Sequence, residues 1–251
     1  MELLIKEESS VVAKWASKYI VSKINDANPT PEKPFVLGLT TGSTPLATYK
    51  ELLNSYNAGE VSFENVVTFN MDEFANLPID HPESYYKFMW DNLFSHINIK
   101  PENAILLDGN ADDLKKECDA YEQKIKEFGG INLLLSGVGV NGHLAYNDPG
   151  SSFTSRTREK PLSNEEIKAN AHYFNNDINQ VPKSALTIGV ATIMDAHEIM
   201  VLITGKSKAL ALQKAVEGSV DKNWIISVLQ QHKNCTIVCD KEATVELKEH
   251  K

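Results

Sequence analysis

The chain has 251 residues, of which 42% are hydrophobic and 24% charged, the balance of an ordinary globular protein with room for an enzyme-sized core. Twenty-five Lys and Arg against 34 Asp and Glu leave a net charge of −9, which argues against a nucleic-acid coat or a polybasic membrane anchor, since both partners attract cationic surfaces. The longest nearly apolar runs, such as residues 185–194, are too short to span a bilayer, and the N-terminal MELLIKEE turns acidic before a signal-like stretch can form.

Short apolar runs alternate with helical patterns, without repeats or an obvious linker. Pro34-Phe35-Val36-Leu37-Gly38-Leu39 reads as a buried strand, followed by a Thr/Gly/Ser turn and a helix over 45–54. Val66-Val67-Thr68-Phe69 is a second strand and Ile105-Leu106-Leu107 a third. A helix over 112–128 ends at Gly129-Gly130, and a fourth strand spans 131–135. A fifth strand spans 199–203, a helix 207–216 closes at Gly218, and Thr236-Ile237-Val238 is the sixth strand. Strands apolar on both faces and separated by helices imply a doubly wound, mostly parallel α/β sheet of Rossmann-like form, with helices on both faces. A single domain over residues 1–251 is expected.

Cys118 lies in a helical pattern, and Cys235 and Cys239 flank the last strand. Four residues of extended chain separate the latter two by roughly 13 Å, too far for a disulfide. The expectation is three buried thiols in a cytoplasmic protein. His81, His96, His197, His232 and His250 show no ligand spacing and no Cys-x-x-Cys pair occurs, so no metal is expected.

In parallel sheets, ligands sit beyond the carboxyl ends of the strands. Four loops there carry unusual residues. Thr40-Thr41-Gly42-Ser43-Thr44-Pro45 joins a strand to a helix start, where hydroxyls and free amides suit an anion. It is neither a Walker A loop nor a dinucleotide fingerprint. Thr204-Gly205-Lys206-Ser207-Lys208 repeats the strand-Gly-helix grammar and adds two ammonium groups, so the pair suits the phosphate of a small metabolite. Asn70-Met71-Asp72-Glu73-Phe74 places Asp72 at a strand tip, where burial can raise a carboxylate toward working pH for proton abstraction. The densest signal is GVGVNGHLAYNDPG over 137–150, with four glycines around His143 and Asp148. Asp148 is expected to orient and charge-stabilise the imidazole.

These segments, together with Ser151-Ser152, Ala185-Leu186-Thr187 and Glu217-Gly218-Ser219-Val220, resemble the glucosamine-6-phosphate deaminase family from about residue 10 to residue 248. The related 6-phosphogluconolactonases usually have Arg where this chain has Phe74, and lack the ending found here at Asn147-Asp148-Pro149-Gly150. The resemblance implies conversion of glucosamine 6-phosphate and water to fructose 6-phosphate and ammonia, with no organic cofactor and no metal. It implies His143 as the ring-opening acid–base group, with Asn141 and Asp148 beside it, and Asp72 as the base that carries a proton from C2 to C1. Thr41, Gly42, Ser43, Thr44 and Lys208 would hold the phosphate, with His172 at the position of the family's phosphate-binding arginine. The implied partner is a small sugar phosphate, with no nucleic acid and no membrane; a homo-oligomer is left open.

Three positions depart from the family pattern. Asn141 stands where Asp is common and cannot charge-stabilise a protonated imidazole. Asp148 is one methylene shorter than the usual Glu. His172 replaces a planar bidentate donor and is expected to weaken phosphate binding near neutral pH. These departures keep a catalytically weakened sugar-phosphate-binding protein among the alternatives, beside a 6-phosphogluconolactonase and a deaminase of the C4 epimer, galactosamine 6-phosphate. Ser151, Arg158 and Lys160 match positions where regulated members bind N-acetylglucosamine 6-phosphate. The sequence stops at Lys251 without the longer segment that completes that site, so regulation is not expected.

Overall fold

The computed structural model of the protein describes residues 1–248; His250 and the chain end at Lys251 lie outside the described residues. The elements in chain order are β1 (Glu2–Lys6), α1 (Ser9–Ala27), β2 (Phe35–Leu39), α2 (Ser43–Asn57), β3 (Val66–Asn70), β4 (Asp72–Phe74), α3 (Tyr85–Asn92), β5 (Ala104–Ile105) and α4 (Leu114–Glu127). They continue with β6 (Leu133–Ser136), β7 (Arg158–Pro161), α5 (Asn164–Asn170), β8 (Ser184–Thr187), α6 (Val190–Met194), β9 (Ile199–Ile203), α7 (Ala209–Val216) and β10 (Cys235–Asp240), with short 3-10 turns between.

Seven strands form one sheet in the order β1-β10-β9-β6-β2-β3-β5, and every neighbouring pair is parallel. Alternation of side chains along each strand divides the core in two. Val36, Phe69, Leu134, Val201 and Ile237 face α4, α6 and α7, whereas Leu37, Val66, Leu135, Leu202 and Val238 face α1, α2 and α3. Strands β2, β3, β6, β9 and β10 are therefore covered on both faces, which is why their sequences read as mainly apolar runs. The α/β fold with helices around a parallel sheet is the one expected.

Several details differ from the sequence reading. The main sheet has a seventh strand, β1, at its edge; its half-exposed residues pair with β10 at the far end of the chain, Glu2 opposite Thr236, so local pattern does not show it. A second sheet of three short strands, β4-β8-β7, is antiparallel and was not expected. The apolar run 185–194 is divided between β8 and α6, with Gly189 at the turn because a Cβ there would lie 2.1 Å from the Ser155 carbonyl oxygen. The third strand stops at Ile105, and Cys235 and Cys239 lie within β10 rather than beside it; all three cysteines are buried and free. Helix α2 begins at Ser43, not at Pro45. Leu46 N donates to Gly42 O at 3.3 Å as the first helical bond, which leaves Pro45 in the first turn, where a missing N–H removes no intrahelical bond. The segment 206–208 is a 3-10 turn that leads into α7.

The small sheet is pinned to the body by close backbone contact. A Cβ on Gly109 would sit 2.0 Å from Phe74 O, and Asn76 N donates to Gly109 O at 2.8 Å. Gly109→Ala must push β4 away from its seat and is expected to lower stability by about 1–3 kcal/mol, read by urea or thermal melting.

Candidate active site

The four loops singled out above leave four strands that are neighbours in the sheet. In the order β9-β6-β2-β3 they supply residues 204–208, 137–150, 40–44 and 71–74, all at the carboxyl ends. Strand β2 leads outward to β3, while β6 leads the other way to β9, so the order reverses between β2 and β6 and a crevice opens there.

Asp72 lies at the β3–β4 corner and is only 6% exposed. Burial first, and the charge of Glu73 second, push its carboxyl up to about 7. The corner is held by Met71 N donating to Leu39 O at 2.9 Å and Ile188 N donating to Met71 O at 2.8 Å. On the β4–β8 ladder Asp72 stands opposite Thr187, whose hydroxyl accepts from Tyr146 N at 3.1 Å. The phenols of Tyr146 and Tyr85 meet at 2.7 Å, and burial raises the pKa of both well above the ordinary value, with the nearby charge of Asp72 adding to the effect.

The glycine-rich loop is built around the imidazole of His143. Gly139 N donates to His143 O at 3.0 Å, and Gly142 N to Gly139 O at 2.9 Å, with Gly142 at φ +79°. A Cβ on Gly139 would fall 2.0–2.4 Å from three atoms of the ring, so only glycine admits the ring here. His143 Nδ1 lies 2.6 Å from Asn141 Oδ1. That oxygen accepts only, so the network assigns the proton to Nδ1 and leaves Nε2 as the basic nitrogen. Burial lowers the pKa of the imidazole; the Asp148 carboxylate opposes this and Lys208 adds to it.

The part expected of Asp148 is filled differently. Its Oδ1 is 4.0 Å from His143 Nδ1, beyond hydrogen-bond reach, and its Oδ2 pairs with the Lys160 ammonium, which also bonds Glu166 at 3.1 Å. Asn141 therefore orients the ring directly, and Asp148 contributes charge from a distance. Asn147 seats the same loop by donating to Leu144 O at 2.9 Å and Ile188 O at 2.8 Å, while Ala145 takes the left-handed φ of +51°.

Thr41 and Gly42 lead directly into α2, whose first amides at Ser43 and Thr44 have no intrahelical partner. Ser43, Thr44 and Thr204 line a cavity of about 150 Å³ with Ser9, Val12 and Ala13, so the first and last loops meet. Lys208 Nζ donates to Val138 O at 2.7 Å, which ties the last loop to the glycine-rich one; burial lowers its pKa. His172 stands apart from these bonds. It lies exposed in a 3-10 turn, with Nδ1 2.6 Å from Ala169 O and its ring centroid 3.7 Å from that of Tyr173. Of the residues aligned with the regulatory positions, Lys160 is taken up by Asp148 and Glu166, Arg158 bonds Arg156 O at 3.3 Å, and Ser151 N donates to Asp148 O at 2.9 Å.

The sequence reading left some residues of the site unassigned. Asp240, at the carboxyl tip of β10, accepts Gly205 N at 3.0 Å on each oxygen and so fixes the Lys208 loop. A carboxylate at a strand tip is the signal that marks it. Tyr85, Tyr146 and Thr187 come from three distant segments and read as ordinary core residues until they are brought together. Among the described residues, no group of three His, Cys, Asp or Glu side chains is arranged to hold a metal ion, and no helix is long and apolar enough to cross a membrane.

Known proteins resemble this chain over nearly its whole length. A protein from Haemophilus ducreyi named glucosamine-6-phosphate deaminase is 58% identical over 248 residues, covering 99% of this chain and 93% of that one. The solved structure of a monomeric glucosamine-6-phosphate deaminase superposes with a TM-score of 0.91 at 40% identity, covering 97% of this chain and 98% of the other. The 6-phosphogluconolactonase from Trypanosoma cruzi shares the fold, with a TM-score of 0.77 at 21% identity over 98% of this chain and 97% of that one. The family model described as glucosamine-6-phosphate isomerases/6-phosphogluconolactonase matches residues 7–238, and the chain belongs to that family.

Proposed function

We infer that the protein is a glucosamine-6-phosphate deaminase, which converts glucosamine 6-phosphate and water into fructose 6-phosphate and ammonia. The observation that carries the chemistry is the buried carboxyl of Asp72, raised to about 7, on the strand tip next to the crevice that holds the His143 loop. A base with that pKa is half available at neutral pH and strong enough to take a proton from carbon next to a carbonyl.

The residues act in sequence. His143, with Nδ1–H donated to Asn141, takes the C1 hydroxyl proton at Nε2 and returns it to ring oxygen O5, which opens the pyranose to the aldehyde. Asp72 then removes the C2 proton to give the enolamine and delivers it to C1, leaving a ketimine at C2. Water adds to C2, the carbinolamine expels ammonia, and the ketose remains. Ser43 and Thr44 amides, the hydroxyls of Thr41, Ser43 and Thr44, the open backbone at Gly42 and the Lys208 ammonium hold the phosphate. A cytoplasmic location fits three buried free thiols.

Ammonia release from glucosamine 6-phosphate, galactosamine 6-phosphate and 6-phosphogluconolactone hydrolysis, measured side by side, tests this reading. Turnover of the glucosamine ester is expected; lactone hydrolysis with no ammonia from either hexosamine ester would overturn it. We further propose that His172 faces the substrate phosphate. A planar guanidinium offers paired, always charged donors to a phosphate, which an imidazole does not. A charged hydrogen bond is worth about 1.5–3 kcal/mol, so His172→Arg is expected to lower KM roughly tenfold. An unchanged KM would show that His172 does not meet the phosphate.

A further inference from the structure

Next to Asp72 lies a second carboxylate that the reaction above leaves without a part. Glu73 is 5% exposed, and no lysine or arginine pairs with it among the described residues. Its two oxygens instead accept three backbone amides. Oε1 takes Phe74 N at 2.8 Å and Tyr85 N at 3.0 Å, and Oε2 takes Tyr86 N at 2.7 Å. A carboxylate so deeply buried persists only where donors satisfy it, and these come from two separate elements, β4 and the first turn of α3. Ser84 already caps that helix by accepting Lys87 N at 3.1 Å, so capping alone does not call for a second side chain reaching across from β4.

The contacts that follow from this clamp close a ring about Asp72. The first turn of α3 sets Tyr85, whose ring packs on Phe74 at 4.9 Å between centroids and whose hydroxyl meets that of Tyr146 at 2.7 Å. Tyr146 N in turn donates to the Thr187 hydroxyl at 3.1 Å, and Thr187 stands opposite Asp72 on the β4–β8 ladder. Phe74 also lies 6.2 Å from Tyr146 and 6.0 Å from Phe174 between centroids, so an aromatic wall backs the same corner.

We propose that Glu73 is a positioning residue for the deaminase reaction: by tying the first turn of α3 to β4, it holds the Tyr85–Tyr146 pair against the strand pair that carries Asp72 and keeps water from that carboxylate. The proposal rests on the reading of Asp72 as the base. Glu73 does not touch the substrate. It acts through the desolvation of Asp72 and through its own charge, both of which raise the carboxyl of Asp72. Gln has the same shape but one accepting oxygen, and its NH₂ would confront at least one of the three amides.

The test compares Glu73→Gln with Asp72→Asn and the parent enzyme in ammonia release from glucosamine 6-phosphate across pH. For Glu73→Gln, kcat is expected to fall about tenfold or more, because the base and its wall shift by a fraction of an ångström to an ångström. KM should stay within about threefold, and the acidic limb of the kcat profile should move to lower pH by about half a unit or more as Asp72 gains water and loses a neighbouring charge. A purely structural role for Glu73 would lower the folded fraction and leave that limb in place. A kcat within twofold of the parent, or a limb that does not move, overturns the proposal. If Glu73→Gln does not fold, the same two readings are taken on Glu73→Asp, whose arm is one methylene too short to reach all three amides. There kcat should fall likewise, and the acidic limb should move to lower pH by less than in Glu73→Gln, because the charge stays and only the desolvation of Asp72 is relieved. C2-proton exchange that persists in Asp72→Asn overturns the reading of Asp72 as the base. An inactive Asp72→Asn beside an unaltered Glu73→Gln overturns only the part assigned to Glu73.

Discussion

Asp72→Asn is expected to lower kcat for ammonia release by about 10²–10⁴-fold with little change in substrate affinity, because an amide occupies the same volume and cannot accept the C2 proton. In the parent enzyme the carboxyl is pushed up to about 7, so kcat should fall as pH drops through that value and the base becomes protonated. The same variant should be more stable than the parent at pH 8. The sign follows from linkage: in the folded state the carboxyl is raised from 3.8 to about 7, so the unfolded chain releases the proton first. The parent therefore loses stability as pH rises from about 4 to about 7, a shift worth up to about 4 kcal/mol at roughly 1.4 kcal/mol per unit. Asp72→Asn escapes that loss, and its advantage in melting temperature should shrink to nothing near pH 4. Solvent deuterium incorporation at C1 or C2 that survives in the variant would remove Asp72 from the base role. A melting difference independent of pH would mean that Asp72 is not held in a desolvated site.

Gly139→Ala is expected to lower kcat about 10²-fold while the protein still folds. The added methyl would fall 2.0 Å from His143 Cε1, 2.2 Å from Nδ1 and 2.4 Å from Nε2, well inside van der Waals contact. The ring must swing away from Asn141, and displacement of a reacting group by about 1 Å carries a penalty of that size. Gly137→Ala serves as the control in the same loop. Nothing lies within 4 Å of a Cβ at Gly137, so that variant should keep its turnover within a few-fold. Equal losses in both variants would mean that the loop tolerates no side chain anywhere, and that the effect at Gly139 says nothing about the imidazole.

The layered α/β architecture and the general position of the site were legible in the sequence. Strands such as β2, β3 and β9 are buried on both faces, and that burial leaves a short, mainly apolar run in the chain whatever the rest of the molecule does. Asp72 and the glycine-rich loop stood out for a similar local reason: a carboxylate or histidine directly after such a run has to sit at a strand tip, and close approach to the His143 ring requires glycine at Gly139. Edge and flap strands were less visible. β1, β7 and β8 are short, and β1 and β7 are half-exposed; each is defined by a partner far away in the chain, so no local period announces it.

Partnership within the site was a matter for the tertiary structure. By type, Asp148 is a better partner for a histidine than Asn141, and the sequence favoured it for that reason. In the folded chain Asn141 lies 2.6 Å from the imidazole, whereas Asp148 is drawn to Lys160, a residue twelve positions on that β7 brings alongside. The part of Glu73 depends on the start of α3, whose amides only the fold places over its oxygens. Asp240 is 35 residues from the glycine amide that it fixes. Residue type and spacing determine which groups can carry charge or protons and which end of the sheet they occupy. Hydrogen bonding acts over about 3 Å, and only the packing of distant segments decides which of several competent partners comes within that distance.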